Sequence, residues 1–152
     1  MALKNIFKQD ETDTIINRIN ALSPNTSAKW GKMNAAQMLA HCSVTYELVY
    51  EKKHPQPNFL MQAMLKLFLK KIVTSEIPYK KNIQTGPAFL MKGEKDFEVE
   101  KQRLINYILQ TQQLGEAHFD KKNSHSFGVL NIEEWNNMFY KHLHHHLSQF
   151  GV

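Results

Sequence analysis

The sequence has one cysteine, two arginines and no apolar run long enough to cross a bilayer. A lone Cys42 excludes an internal disulfide framework and a cysteine-rich zinc site. The net charge of +5 comes almost wholly from lysine, and much of it sits in scattered pairs at Lys52–Lys53, Lys70–Lys71, Lys80–Lys81 and Lys121–Lys122. Such pairs belong at helix ends and in loops. Specific nucleic-acid binding calls for a clustered basic stripe with arginine forks, so none is expected. The most apolar stretch, FLMQAMLKLFLKKIV (Phe59 to Val73), is interrupted by Gln62, Lys66, Lys70 and Lys71. It is too short and too charged to span a membrane. The start, MALKNIFKQDETD, has no apolar signal-peptide core, so no secretory leader and a cytoplasmic location are expected.

Glycine and proline are few and fall between periodic stretches, which predicts helices joined by loops in one domain, 1–152. A first helix is expected from about Glu11 to Leu22, capped by Asp10 or Thr12, with Ile15, Ile16, Ile19 and Leu22 inward. A second follows Asn34 as N-cap and reaches about Glu51. A third covers Phe59 to Thr74, a fourth Lys95 to Gln113, and the last starts at Ile132 after Asn131, with Glu133 and Glu134 in its first turn. The pattern predicts an all-α four-helix bundle with one extra short helix and two long connections, Ile77–Gly93 and Gly115–Asn131. The third helix is apolar around most of its circumference. That favours burial in the bundle and at a homodimer interface over a basic, Met-rich helix lying on a membrane.

Four of the eight histidines fall within His142–His146, in the ending KHLHHHLSQFGV. At roughly 100° per residue, Ile132, Phe139, Leu143 and Phe150 centre the buried face of the last helix. His146 lies within about 40° of that centre and His142 within about 80°. Gln149 falls just beyond His142, with Trp135 on the same flank, while His145 lies further round and His144 points to water. His142 and His146, one turn apart, can bring two imidazoles to one point. Two ligands are too few for a stable site. His41, on the flank of a stripe formed by Met38, Cys42, Thr45 and Val49, is a candidate third. Taken alone, His41 reads first as a core histidine donating to a backbone carbonyl. Cys42 points along the apolar stripe and reads as core. Glu47, six residues past His41 and off its face, reads as solvated.

Two sets of residues carry a family resemblance. Trp30-Gly31-Lys32-Met33 with Gln37-Met38-Leu39-Ala40-His41 forms one. Phe127-Gly128-Val129-Leu130, Glu134-Trp135 and Tyr140-Lys141-His142 through Gly151 form the other. Together they resemble the DinB/YfiT-like superfamily of metal-dependent helical bundles, and specifically a branch of unknown function. The resemblance spans nearly the whole chain, specific at both ends and loose between Lys52 and Lys122. It implies a four-helix bundle holding a divalent metal through His41, His142 and His146. It also argues against a purification-tag origin for the histidines, since Leu143 interrupts them and Gln149-Phe150-Gly151-Val152 continue the pattern. Where the branch tends to a His-Pro-Phe-Phe-Gly run, this chain has His125-Ser126-Phe127-Gly128, so His125 is retained only as a site-lining residue.

Three neutral imidazoles with open positions make a catalytic-type site. Zn or Ni suits such ligands best, and Fe, Mn or Cu also fits. The expected function is a metal-dependent hydrolase or thiol-dependent transferase on a small molecule. The alternative is a non-catalytic metal-binding or interaction module, with membrane or partner contact through helix 59–74. Gln149, His145, His125 and Trp135 are expected to line or support the site, together with Phe89 and Phe127.

Overall fold

The computed structural model describes residues 3–152. Met1 and Ala2, the first residues of the polar start, lie outside it. Among the described residues the order is α1 (Gln9–Asn20), α2 (Ala35–Tyr50), α3 (Phe59–Phe68), α4 (Lys70–Thr74), a 3-10 turn (Pro87–Phe89), α5 (Phe97–Phe119), β1 (Lys122–Ser124), β2 (Gly128–Leu130) and α6 (Ile132–Gln149). The chain is mostly helical, and α1, α2, α5 and α6 pack on one another.

Local chemistry explains most boundaries. Asn34 and Asn131 each accept a bond from the backbone N–H three residues on, at 2.8 and 2.9 Å, and Gln37 and Glu134 close the box in return. Two orphan donors are thereby satisfied at each start. Asp96 and Asn58 cap α5 and α3 in the simpler way. The first helix departs from expectation. It begins at Gln9 with Lys8 in the cap position and no side-chain cap. Thr12 instead sends its hydroxyl back to the Ile6 carbonyl at 2.7 Å.

The purely helical expectation also needs correction. The second connection holds an antiparallel hairpin, with Lys122 opposite Leu130 and Ser124 opposite Gly128. Its turn is closed by one side chain: Ser124 Oγ donates to the Gly128 carbonyl at 2.8 Å and accepts from Phe127 N–H at 3.0 Å. Gly128 has φ +70, which favours glycine. α5 runs six residues past its expected end, through Gly115 at φ 72, where the helix kinks. Phe119 draws it on. That ring is fully buried against Phe7, Trp135 and Phe139, with centroids 5.4, 5.4 and 5.5 Å away.

The core is built from the inward stripes of these four helices, including Ile15, Ile19, Met38, Leu39, Cys42, Leu104, Ile108, Phe139, Leu143 and Leu147. Cys42 is buried, as its stripe position predicts, and its thiol lies 3.7 Å from Met38 Sδ. The third helix behaves otherwise. No residue of α3 is buried, so its apolarity does not place it inside the fold of this chain. It packs mainly on α4, and Lys141 of α6 anchors the chain that follows. The Lys141 ammonium donates to the carbonyls of Ile72, Ser75 and Ile77 at 2.8, 2.5 and 3.1 Å, and it lies 4.7 Å from the centre of the Tyr79 ring. Burial pulls this ammonium down to about 8, so it remains charged at neutral pH.

Candidate metal centre

α2 and α6 lie side by side, and their registers bring His41, His142 and His146 together. Ring centroids are 4.5 Å apart for His41 and His146, 4.8 Å for His142 and His146, and 5.1 Å for His41 and His142. One ring nitrogen from each lies within 4.8 Å of the other two. His41 and His146 are buried and His142 keeps partial exposure.

Each ring is held from behind by a different partner. His41 Nδ1 lies 2.8 Å from the Phe89 carbonyl, delivered by the 3-10 turn. A carbonyl only accepts, so Nδ1 carries the hydrogen and Nε2 is a lone pair. His146 Nδ1 lies 2.8 Å from Gln149 Oε1. Gln149 Nε2 donates to the Trp30 carbonyl at 2.6 Å, which fixes the amide with its oxygen toward the ring and leaves His146 Nε2 unprotonated as well. His142 Nδ1 meets the Thr45 hydroxyl at 3.0 Å. A hydroxyl can donate or accept, so His142 alone can change tautomer without losing its partner.

That freedom bears on whether the site fits a cation. His142 Nε2 and His41 Nε2 are 3.1 Å apart. Two lone pairs at that distance repel unless a proton or a cation lies between them. With the Thr45 hydroxyl donating, His142 Nε2–H fills the gap. With the hydroxyl accepting, His142 Nε2 is a lone pair as well, and all three clustered rings have an unprotonated Nε2 to offer. The separation is close to the roughly 3.4 Å between two nitrogens placed tetrahedrally at Zn–N bond length. The three-histidine cluster could therefore hold a metal ion.

The electrostatics agree. Burial, then the neighbouring histidines, pushes His142 well below the usual imidazole range. Burial, then His41, brings His146 to about 3 against an opposing bond from Gln149. Burial also lowers His41, with the Phe89 carbonyl working the other way. Three imidazoles are thus kept neutral, the protonation state a metal needs. Among the described residues no carboxylate joins the cluster.

The walls are aromatic. Phe89 lies 5.3 Å from the His41 ring and 5.7 Å from His142, and Tyr79 lies 6.4 Å from His142. His145 does not join the three. It stands edge-on to His146 at 5.0 Å, between Tyr79 at 5.6 Å and Trp30 at 5.9 Å. There it borders a cavity of about 180 Å³ that Trp30, Tyr79 and Lys81 also line. His144 is exposed but engaged, with Arg18 donating to its Nδ1 at 3.1 Å.

Two expected site residues lie elsewhere. Trp135 is a core residue stacked on Phe139 at 5.5 Å. Being on the right flank of the wheel puts it two turns too early along α6. His125 is bonded to Ser126 at 2.9 Å and lies 3.4 Å from the His54 carbonyl. His54 in turn contacts Glu47 at 2.7 Å. Glu47 is itself buried rather than solvated, and it pairs with Arg103 and, at 2.5 Å, with Lys53.

A family comparison accounts for residues 1–151. They match the family described as a protein of unknown function, DUF1569. The chain belongs to the DUF1569 family. Comparison with curated proteins and with solved structures gave no match. For this DUF1569 chain, then, any chemistry has to be argued from the histidine cluster itself. Sequence reasoning passed over Thr45, which reads as one more position of the buried α2 stripe, and Tyr79, which lies in an irregular segment. A threonine among apolar stripe residues was the one available signal for the first.

Proposed function

We propose that this chain binds one divalent transition-metal ion through Nε2 of His41, His142 and His146 and works as a metal-dependent enzyme on a small molecule. One observation carries the proposal. Three separate partners, the Phe89 carbonyl, the Thr45 hydroxyl and the Gln149 amide, hold the three Nδ1 atoms and leave the Nε2 atoms of three clustered rings for an ion. Carbonyls and side-chain oxygens on the remote nitrogen are the usual outer partners of metal-binding histidines. The resemblance to DinB/YfiT-like bundles supports the same triad. Nitrogen ligands without charge suit Zn or Ni, and Fe or Cu shares the preference, whereas Mn favours oxygen donors. A bound ion would supply Lewis acidity for hydrolysis or for a thiol-dependent transfer. Phe89 and Tyr79 would limit water at the open side, and a substrate would enter past the partly exposed His142.

The second reading is a metal-binding module without catalysis. It is favoured by the lack of a carboxylate base at the cluster among the described residues, since Glu47 is committed to its own cations. Elemental analysis of untagged protein purified without nickel resin should find near one equivalent of metal. His41→Ala should abolish it, and retained affinity in that variant would refute the triad. Activity screens of the loaded protein with small thiols and hydrolysable esters then separate enzyme from module.

A further inference from the structure

The segment from Lys52 to Ser75 contains five lysines and no acidic residue. It also contains the least covered apolar surface among the described residues. In α3, Leu60, Met61, Met64, Leu67 and Phe68 fall within an arc of about 120°, and each is between 48% and 74% exposed. Phe59 extends the surface at the helix start at 87%, and Ile72 of α4 extends it at the other end. Only Leu65 and Gln62, on the opposite side, are partly covered. An amphipathic helix ordinarily turns its apolar face to the core; here the apolar face points outward. Contiguous exposed apolar surface of this kind marks an interaction site.

Charge and shape decide what covers it. Lys53 is paired with Glu47 and Glu51, and Lys70 with Glu134. Lys52, Lys66 and Lys71 have no ion pair among the described residues; Lys71 follows the apolar arc in α4, whereas Lys66 lies on the far side of α3 with its side chain toward Gly128. A second copy placed on the face by two-fold symmetry would set one acid-free, lysine-bearing segment against another. An anionic lipid surface complements it, with phosphates for the lysines and the acyl boundary for the apolar arc. The helix stands proud of the fold with nothing of its own buried. A fluid interface accepts such a convex ridge, whereas two convex ridges bury little area on each other. We infer that α3 docks this protein on the surface of an anionic bilayer, lying in the headgroup plane. The surface stands independently of the histidine cluster.

The test is flotation of untagged protein with phosphatidylcholine vesicles and with vesicles carrying 30% phosphatidylglycerol, a composition set at roughly physiological anionic content. Binding should favour the anionic vesicles by at least about tenfold and weaken in high salt. Leu67→Glu with Phe68→Glu should remove it. Lys52→Gln with Lys71→Gln, which leaves the apolar arc intact, should reduce it by about fivefold per lysine. Circular dichroism and thermal melts establish that both variants fold, as expected for exposed positions. Absence of binding to anionic vesicles overturns the proposal. So does equal binding to both vesicle types, or a stable dimer by light scattering that Leu67→Glu with Phe68→Glu splits while vesicles leave it intact.

Discussion

Gly31 does not touch a histidine, yet substituting it should weaken metal binding. Its φ is +84, and a Cβ built there would lie 2.5 Å from Gln149 Nε2. Two effects follow from Gly31→Ala. A left-handed backbone costs a residue with a Cβ about 1–2 kcal/mol. The Gln149 amide must also move, although it is buried and held between His146 Nδ1 and the Trp30 carbonyl. Losing the outer partner of a metal-binding histidine lowers affinity about 10–100-fold, which corresponds to about 1.4–2.7 kcal/mol. Gln149→Ala alone should show the same loss. In that background Gly31→Ala has no amide to displace, so affinity should fall no further, while the backbone strain persists. The cycle is read by zinc titration against a chromophoric chelator, with urea denaturation of the metal-free proteins reporting strain. Gly31→Ala should cost about 1–2 kcal/mol of stability in the Gln149→Ala background, about 1–3 kcal/mol more where the buried Gln149 amide must also leave its partners, and should affect affinity only in the presence of Gln149. Equal affinity losses in both backgrounds, or none in either, would refute the proposed chain from Gly31 through Gln149 to His146.

Two further variants probe structure away from the cluster. Glu47→Ala strands Arg103, Lys53 and His54 and should cost about 2–3 kcal/mol, less than a fully buried pair because Arg103 and Lys53 are partly solvated. Burial acts to raise the Glu47 carboxyl, but bonds from Lys53 and His54 and the charge of Arg103 outweigh it and hold it below its ordinary 4.5. The folded state thus favours the ionised form, and the contribution is complete above that value and fades as pH falls below it. Urea midpoints of wild type and Glu47→Ala should therefore converge in acid, with zinc affinity the same in both at neutral pH. Lys141→Met removes three charge-assisted bonds to carbonyls at the exit of α4 and should cost about 2 kcal/mol net of the regained desolvation. Limited proteolysis should then cut faster around residues 70–79, and an unchanged cleavage pattern would show that Lys141 does not anchor that segment.

The parts legible in the sequence are those governed by short-range rules. Asn34 and Asn131 are followed three residues later by Gln37 and Glu134, and the capping boxes form where that spacing predicts. The histidines of α6 sort correctly because a wheel needs only the 3.6-residue period, and His41 follows from its place on the flank of the α2 stripe. Where position along the helix axis decides, angle is not enough. Trp135 shares the flank of His142 but lies two turns earlier, level with Phe119 and Phe139, and so becomes core. Glu47 is misjudged for the related reason that its partners, Arg103 and His54, come from α5 and from the loop after α2, which no local pattern brings to it.

The partners that tune the cluster are less legible still. The Phe89 carbonyl is a backbone group in a connection with two prolines, and its contribution depends on the path of residues 75–96 rather than on any side chain. Lys141 shows how that path is set. Its period places it opposite the core stripe of α6, where a lysine would face water, yet α4 and the chain after it cover it, and the carbonyls of Ile72, Ser75 and Ile77 take up its charge and fix where the connection begins. The connection then carries Tyr79 and Phe89 over the histidine rings. A buried cation in the ending KHLHHHLSQFGV is thus as much a part of the candidate site as the imidazoles beside it. It positions the segment that supplies an outer partner to His41, and with it the direction in which the Nε2 lone pair points.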